Sequence, residues 1–322
     1  MTLKNFRGKF MKGLELAFNY YNEFGKPMLE NQFSSVLDKI AVGLVGEGSE
    51  CFGYDDFTST DHDFDMGFCL FITEKDYEDF GFKLERAYSK LPNEYMGFKR
   101  QIINPVGGNR HGVIVIEDFY KKFLGTSTIP QDKSWWFFVP EHSLACACNG
   151  KVFMDNKGVF SPVRETLLKG YPEDVRLKKL ASHLALAGQS GQYNYARCIA
   201  HGERGASSLA MCEFVKHILS VIYLLNNKYQ PFYKWAFRGL RELPILAECE
   251  TALEGLLEYG NSKNEFSLKC EIVEDIARMV IEELKRQNLT SATCNNLETH
   301  AYSVTDKITD NSIRNMHVMD GI

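Results

Sequence analysis

The sequence has no excess of positive charge. Its 37 lysine and arginine residues are outnumbered by 42 aspartate and glutamate residues, which gives a formal net charge of -5. A chain with this charge does not create the basic field that attracts a nucleic acid backbone. The composition therefore argues against DNA or RNA as the main partner, although it leaves a local basic groove open.

The sequence also lacks a long apolar run, an internal repeat and a low-complexity segment. No stretch approaches the length that spans a membrane, and MTLKNFRGKFMKGLELAFNYYNEFG carries too many charges for a secretory signal. The nine cysteines are an odd number, which without such a signal is typical of reduced thiols in the cytoplasm. We therefore expect a cytoplasmic protein without a membrane partner.

The residues that are present indicate a globular protein with two domains. Hydrophobic residues make up 44% of the 322 residues and aromatic residues 13%, which is enough for two cores of ordinary size. Before about residue 165, apolar runs such as HGVIVIED have the β-branched density of buried strands. Beyond that point the periodicity is almost entirely helical. We expect an α+β domain over residues 1–165 and an all-helical domain over residues 166–322.

The pattern also predicts individual elements of the first domain. Residues 1–36 are expected to form two helices, because Gly25-Lys26-Pro27 would break a single one. A helix is predicted over residues 74–91, and FYKKFLG predicts a short helix that Gly125 ends. The predicted strands cover residues 39–46, 62–73 and 111–118.

The residue types needed for phosphoryl transfer are concentrated in GEGSECFGYDDFTSTDHD, residues 46–63. Asp61 and Asp63 would lie on one face of a strand, about 7 Å apart, because alternate side chains of a strand point the same way. Two carboxylates placed in this way can share hard divalent cations, which neutralise triphosphate oxygens and orient the attack. The alternative is a solvated acidic loop, because further aspartates occur in the same stretch.

A turn precedes these carboxylates. Gly48 allows the backbone to approach a phosphate closely, and the N–H groups of the turn together with the Ser49 hydroxyl can bind its oxygens. No Gly-Lys-Ser/Thr follows, so the turn is not a Walker loop. A second strand, and not a long helix, is expected next, so the turn is not a dinucleotide fingerprint either.

This combination resembles the nucleotidyltransferase (polymerase-β-like) superfamily, whose pattern is a Gly-Ser or Gly-Gly turn, about ten residues, and Asp-x-Asp or Asp-x-Glu. Through this motif alone it also resembles the kanamycin and lincosamide nucleotidyltransferases. The resemblance implies a mixed sheet with flanking helices. It also implies a site in which Asp61 and Asp63 hold two Mg²⁺ ions, while Gly48 and Ser49 bind the phosphates of ATP.

Four longer stretches resemble the bacterial DUF4037 family, whose members are regarded as nucleotidyltransferase-like proteins with a helical domain behind the catalytic one. They are GEGSECFGYDDFTSTDHDF, NGKVFMDNKGVFSPVRETLLKGYPEDV, GQYNYARCIAHGERGA and LLNNKYQPFYKW. This resemblance covers residues from about 40 to 245. Members of the wider superfamily normally carry a third carboxylate on a later strand.

Glu117 is the candidate for that third carboxylate and third metal ligand. If residues 111–118 form a strand, Val113, Val115 and Glu117 share one face and Asp118 points away. The alternative is that Glu117 or Asp118 caps the helix that follows.

The helical domain offers cationic candidates for binding the nucleotide. Arg197 and Arg204 are expected on one helical face, from which two guanidinium groups can clamp triphosphate oxygens. Their alternative is surface ion pairing. Gly202 and Gly205 flank Arg204, which would be explained by the close approach of a ligand or another backbone. Lys234 can reach a phosphate, and the DUF4037 pattern has Lys-Trp at that place.

The sequence thus predicts an Mg²⁺-dependent nucleotidyltransferase that moves a nucleoside monophosphate, AMP from ATP, to a hydroxyl group and releases pyrophosphate. The acceptor is open, with a small molecule or a protein favoured over a nucleic acid. Glu213 is the candidate general base, with a plain surface charge as its alternative. A catalytically weakened nucleotide-binding regulatory or interaction protein is the competing hypothesis.

Overall fold

The computed structural model describes residues 11–57, 66–100 and 110–322. The strands are β1 (Ala41–Leu44), β2 (Cys69–Ile72), β3 (Glu94–Tyr95), β4 (Phe98–Lys99), β5 (Gly112–Val115) and β6 (Lys151–Met154). The α-helices are α1 (Gly13–Tyr20), α2 (Lys26–Gln32), α3 (Ser49–Phe52), α4 (Glu74–Asp76), α5 (Phe82–Ser89), α6 (Ile116–Leu124), α7 (Trp135–Phe138), α8 (Glu141–Cys148), α9 (Ser161–Leu168), α10 (Glu173–Ala187), α11 (Tyr195–Ala200), α12 (Arg204–Leu225), α13 (Tyr233–Leu240), α14 (Cys249–Glu258), α15 (Lys263–Arg286), α16 (Leu297–Thr305) and α17 (Asn311–Arg314). Single π-helical turns cover Tyr21–Gly25, Tyr77–Gly81 and Gly188–Asn194, and a 3₁₀ helix covers Ser34–Lys39.

The chain forms two compact units. Unit 1 consists of residues up to Pro130 together with Ser143–Lys169, and unit 2 consists of Gln131–His142 together with Gly170–Ile322. Unit 2 therefore includes a short segment that lies well before the boundary predicted at residue 165. The structure describes every residue of unit 2, and all of its regular elements are helices.

Unit 1 is built on a mixed sheet of four strands in the order β5-β2-β1-β6. β1 is antiparallel to both of its neighbours, β2 and β6, whereas β2 and β5 are parallel. All residues of β1 and β2 are buried, as expected for central strands covered on both faces. A small mixed sheet with helices is confirmed, as is the helix that ends at Gly125.

Aromatic side chains cover both faces of β2. On one face, Phe68 lies against Tyr20 and Tyr21 of the first helices, in a cluster that also takes in Leu70 and Ile72. On the other face, Phe71 stacks on Phe160 with ring centroids 4.0 Å apart. Phe119 of α6 contacts the same side, so α6 packs across the sheet.

The helix break predicted at Gly25-Lys26-Pro27 was wrong. α1 continues through the π-helical turn Tyr21–Gly25 into α2, and Gly25 keeps right-handed helical angles (φ -68°, ψ -50°). Proline lacks an N–H group and crowds the carbonyl one turn before it. The π turn, in which Lys26 N donates to Tyr21 O, shifts the hydrogen-bond register ahead of Pro27 and so keeps the helix continuous.

Unit 2 is a helical assembly in which α10 packs against α12 and α16. The expectation that no stretch approaches the length that spans a membrane was wrong, because α12 is the one helix among the described residues that is long and apolar enough to do so. Two thirds of its apolar window, 67%, is buried inside the protein, with Ile218 and Ile222 fully enclosed. That burial is the environment of a core helix.

Candidate functional site

The turn after β1 requires glycine at two positions. Gly46 and Gly48 have φ angles of +126° and +124°, which side-chain-bearing residues rarely adopt. The Asn149 side chain fixes the turn, since it accepts from Gly46 N (2.9 Å) and donates to Gly46 O (2.8 Å). A Cβ at Gly48 would collide with the Arg110 guanidinium and the Glu50 carboxylate.

Arg110 fastens the segment before β5 to this turn. Its Nη2 donates to Glu47 O at 2.8 Å and forms an ion pair with the buried carboxylate of Glu50. Burial raises the pKa of Glu50, and the positive charge of Arg110 opposes that shift. A buried carboxylate without a paired positive charge destabilises the fold, so the Arg110–Glu50 ion pair favours this conformation of the turn.

A cavity of about 190 Å³ lies beside the turn. Gly46, Glu47 and Arg110 form one wall, and α6 contributes Asp118 and Lys122 to another. Lys122 Nζ pairs with Glu47 Oε2 at 2.9 Å. The aromatic rings of Phe119 and Phe123 complete the lining. The cavity thus combines an apolar floor with charged groups of both signs, which suits the polar end of a small ligand.

Gly48 and Ser49, the predicted phosphate-binding residues, belong to this turn, but neither is among the residues that line the cavity. Gly48 precedes the single helical turn α3, and Ser49 is its first residue. The N–H groups of a first helical turn have no acceptor within the helix, so they are available to another partner. The predicted metal ligands Asp61 and Asp63 lie outside the described residues.

The placement of Glu117 on a strand face was wrong. β5 ends at Val115, and Glu117 lies in the first turn of α6, where its Oε2 accepts from Glu74 N at 2.9 Å. Asp118, which was expected to point away, lines the cavity beside the turn. α6 begins at Ile116, so Glu117 and Asp118 follow a helical period and not the alternation of a strand. For this reason Asp118, and not Glu117, lines the cavity.

Sequence reasoning gave no role to Asp55, which was one of the further aspartates behind the alternative of a solvated acidic loop. Its carboxylate is fully buried, and Oδ2 accepts from Gly13 N at 2.7 Å, at the start of α1. Lys12 Nζ donates to Asp55 O (2.6 Å) and Gly53 O (2.9 Å). These contacts anchor the chain between α3 and residue 58. Only the three-dimensional pairing with α1 distinguishes Asp55 from its neighbour Asp56.

The continuous helical face predicted for Arg197 and Arg204 was also wrong. α11 ends at Ala200 and α12 begins at Arg204. Gly202 lies between them with φ +77°, while Glu203 N donates to Cys198 O and Gly202 N to Ile199 O, which is a Schellman motif. Both arginines are exposed, and Arg197 lies over the ring of Tyr193 at 5.1 Å. Gly202 is therefore explained by its left-handed backbone and not by a ligand.

The other cationic and acidic candidates of unit 2 have local partners. Lys234 is exposed on α13, and its Nζ lies 4.3 Å from the centroid of the Trp235 ring. Glu213 accepts from Lys216 and contacts His217 Nε2, each at 3.3 Å, as expected for a helix-surface charge. Neither a hydrogen bond nor an ion pair connects Arg197, Arg204 and Lys234 with one another within this fully described unit.

The described side chains alone do not form a magnesium site. Among residues 11–57, 66–100 and 110–322, no group of three histidine, cysteine or carboxylate side chains could hold a metal ion. Near the turn, Glu47 pairs with Lys122 and Glu50 with Arg110, so among the described carboxylates that line the cavity Asp118 is the one outside these ion pairs. Binding of Mg²⁺ here would therefore depend on Asp61 and Asp63.

Comparison with known proteins gives one match. No curated protein and no solved structure is significantly similar to the chain. The model of the DUF4037 family, described as a domain of unknown function, matches a shorter range than the resemblance had indicated, and it leaves out the Gly-Ser turn. The other three stretches that carried the resemblance lie inside the match. Residues 136–236 are thus similar to the DUF4037 domain.

Proposed function

We propose that the protein is an Mg²⁺-dependent nucleotidyltransferase that moves AMP from ATP to a hydroxyl group of an acceptor and releases pyrophosphate. One observation carries the proposal: a glycine turn with positive φ angles, braced by Arg110, opens beside a cavity that contains Asp118. The register of the sheet adds support. Gly43 pairs with Cys69, so β2 begins next to the turn. Asp61 and Asp63 precede β2 in the sequence.

Each group of the turn has a role in this proposal. The N–H groups at Gly48 and Ser49, with the Ser49 hydroxyl, bind phosphate oxygens, because unpaired donors at a helix start favour an anion. The rigid backbone of the turn means that these donors need no reorganisation when charge develops on the leaving group. Lys122, which is half exposed and paired with Glu47, lines the cavity beside the turn.

The carboxylates have the complementary role. Asp61 and Asp63 would hold Mg²⁺, which supplies charge neutralisation on the triphosphate when it is bound. Asp118 replaces Glu117 as the third carboxylate of the proposal, because it lines the cavity. Arg197, Arg204 and Lys234 have exposed side chains in unit 2, and their role in triphosphate binding stays a prediction.

The decisive experiment follows the α-phosphate. We expect purified protein incubated with Mg²⁺, α-³²P-labelled ATP and a cell extract to transfer the label and release pyrophosphate. The double variant Asp61→Asn/Asp63→Asn should lose transfer, while Asp79→Asn, an exposed aspartate of unit 1, should retain it. A small molecule, a protein or RNA as the labelled product identifies the class of acceptor. Equal labelling by the double variant and the unaltered chain would refute the proposal.

A regulatory nucleotide-binding protein is the second candidate, and the position of Glu117 favours it. The residues that enter β5 beside the turn are Arg110 and His111, not a carboxylate. A protein of this kind would bind ATP without releasing pyrophosphate. Calorimetric titration with ATP, together with a pyrophosphate assay on the same sample, separates the two candidates, since only the enzyme gives both signals.

A further inference from the structure

Unit 2 contains a larger cavity that the proposed transfer reaction does not use. Its volume is about 580 Å³, which lies within the range of roughly 300–1,000 Å³ that is typical of small-molecule pockets. One wall is the loop before α7 with α7 itself, and the other is the segment from Asp310 to Ile322. Except for Phe137 and Phe138, its lining residues lie outside the DUF4037 match.

The charge of this cavity is negative. Asp132, Asp310 and Asp320 line it, and Lys133 is its one lysine. Lys133 is already neutralised, since its Nζ lies 3.0 Å from Asp310 and 3.4 Å from Asp174. Hydrogen bonds from Ser312 and Lys133 lower the pKa of Asp310 to about 2, so this carboxylate is ionised at neutral pH. Hydrogen bonds from Ser134 likewise lower the pKa of Asp132.

The remaining lining is apolar and open to solvent. Phe138 is 82% exposed and Ile322 is 53% exposed, although both are large hydrophobic side chains at the cavity. Phe137, Ile313 and Met316 extend this apolar surface. An aromatic ring beside ionised carboxylates attracts a cation that carries an apolar body.

The carboxylates are not arranged for a metal ion. In unit 2, all of which the structure describes, no three acidic, histidine or cysteine side chains converge on one point. Asp132 accepts a hydrogen bond from Ser134, Asp310 from Ser312, and Asp320 from His317 N. Each carboxylate is therefore fixed by a local partner of its own. Fewer than three converging carboxylates do not complete the ligand shell of a hard metal ion, whereas one or two are enough to pair with an organic ammonium group.

We propose that this cavity binds a small organic amine with an apolar body, whose ammonium group pairs with Asp132 and Asp320 and whose apolar part lies on Phe138. Asp310 is occupied by Lys133, so it contributes to the field of the cavity without being the direct partner. This site is independent of the proposed transferase site.

Three phenylalkyl probes of similar length test the proposal by calorimetric titration of the full chain. 4-Phenylbutylammonium should bind, 4-phenylbutanol should bind at least about tenfold more weakly, and 4-phenylbutanoate should not bind, because the polar end changes from positive to neutral to negative. Raising the salt concentration should weaken the binding of the ammonium probe.

Substitutions of the residues that line the cavity test whether the probes bind there. We expect Asp132→Asn/Asp320→Asn to lower the affinity for the ammonium probe at least about tenfold. Phe138→Ala should lower the affinities for both the ammonium probe and the alcohol. Asp306→Asn, an exposed aspartate of the same unit, should leave all affinities unchanged. Equal binding of the three probes, or unchanged affinity in the double variant with a native circular dichroism spectrum, would overturn the assignment.

Discussion

At the scale of single residues, the turn after β1 depends on a side chain that is distant in the sequence. Arg110 occupies the space that a Cβ at position 48 would need, and it pairs with Glu50. The sequence pattern correctly marks Gly48 and Ser49 as a turn, because glycine and serine have local conformational preferences. It does not reveal Arg110, since a pairing over 60 positions leaves no local signal.

The first prediction concerns this ion pair. Arg110→Met leaves the Glu50 carboxylate buried without its partner, and we expect a loss of about 3 kcal/mol in the free energy of unfolding. Lys122→Met is the matched control, because Lys122 and Glu47 are both half exposed and their pair contributes less than about 1 kcal/mol. Urea denaturation followed by circular dichroism measures both variants. Similar losses in the two would show that Glu50 is not a buried charge.

A second prediction distinguishes two adjacent carboxylates. If the protein transfers AMP, Asp118→Asn should lower the rate at least about a hundredfold, since Asp118 lines the cavity. Glu117→Gln should lower it less than about threefold, because the new amide oxygen still accepts from Glu74 N. Single-turnover assays with labelled ATP provide the comparison. A larger loss of rate in Glu117→Gln than in Asp118→Asn would show that Glu117, and not Asp118, belongs to the site.

At the scale of elements, the errors of sequence reasoning occur where one regular structure changes into another. VIVI is apolar throughout, so the pattern cannot show that β5 stops at Val115 and that Ile116 begins a helix. The π turn ahead of Pro27 is equally hidden, because it depends on tertiary packing of the long helix. The apolar strand β2 and the helical character of unit 2 were predictable, since an apolar run and a helical period are local features of the sequence.

Two glycines near α12 provide the third prediction. Gly202→Ala should destabilise unit 2 by about 1 kcal/mol, because φ +77° is left-handed. Gly205→Ala should be neutral or stabilise by up to about 0.5 kcal/mol, since its Cβ would meet nothing within 4 Å and alanine favours a helix. Thermal unfolding of both variants measures these changes in stability. A loss for Gly205→Ala would indicate an unrecognised role for that glycine.

Two buried histidines connect α10 with α12 and make stability depend on pH. His183 Nδ1 and His217 Nδ1 are 2.9 Å apart, with Lys179, Lys216 and Glu213 as the charged neighbours. Burial lowers the pKa of both rings, that of His217 to about 4. The unfolded chain then binds more protons than the native one between pH 6.5 and 4, so stability falls as the pH is lowered through this window.

The fourth prediction follows from that linkage. At pH 5, protonation of His217 in the unfolded chain should cost about 2 kcal/mol relative to pH 7.5. His217→Gln should flatten the dependence of the melting temperature on pH, whereas His201→Gln, an exposed histidine, should not change it. An unaltered slope in His217→Gln would show that the pair does not control acid stability.

At the scale of the whole molecule, the two units are not consecutive pieces of chain. Composition divides the sequence once, near residue 165, because strands precede that point and helices follow it. The structure divides it at residues 130–131, 142–143 and 169–170. Residues 131–142 join unit 2 because Trp136 contacts Tyr171 and Glu141 pairs with Lys179 at 3.7 Å. Such contacts between distant segments are not encoded in local composition.

The fifth prediction uses fragments. Fragment 131–322 retains the contacts of Trp136 and Glu141 with unit 2, and fragment 170–322 loses them. We expect the longer fragment to have the higher thermal midpoint, because removing a buried tryptophan contact typically costs about 3 kcal/mol. Differential scanning calorimetry measures both. Identical midpoints would mean that residues 131–142 contribute nothing to the fold of unit 2.

The chain returns to unit 1 between Ser143 and Lys169, and this return limits where recombination can join two such genes. β6 lies in this returning segment and forms the edge of the sheet beside β1. A recombination event that exchanged everything after residue 130 would therefore bring in a foreign edge strand, and one after residue 169 would separate α7 from its helical partners. Recombination at either point is therefore expected to lower the stability of the hybrid protein.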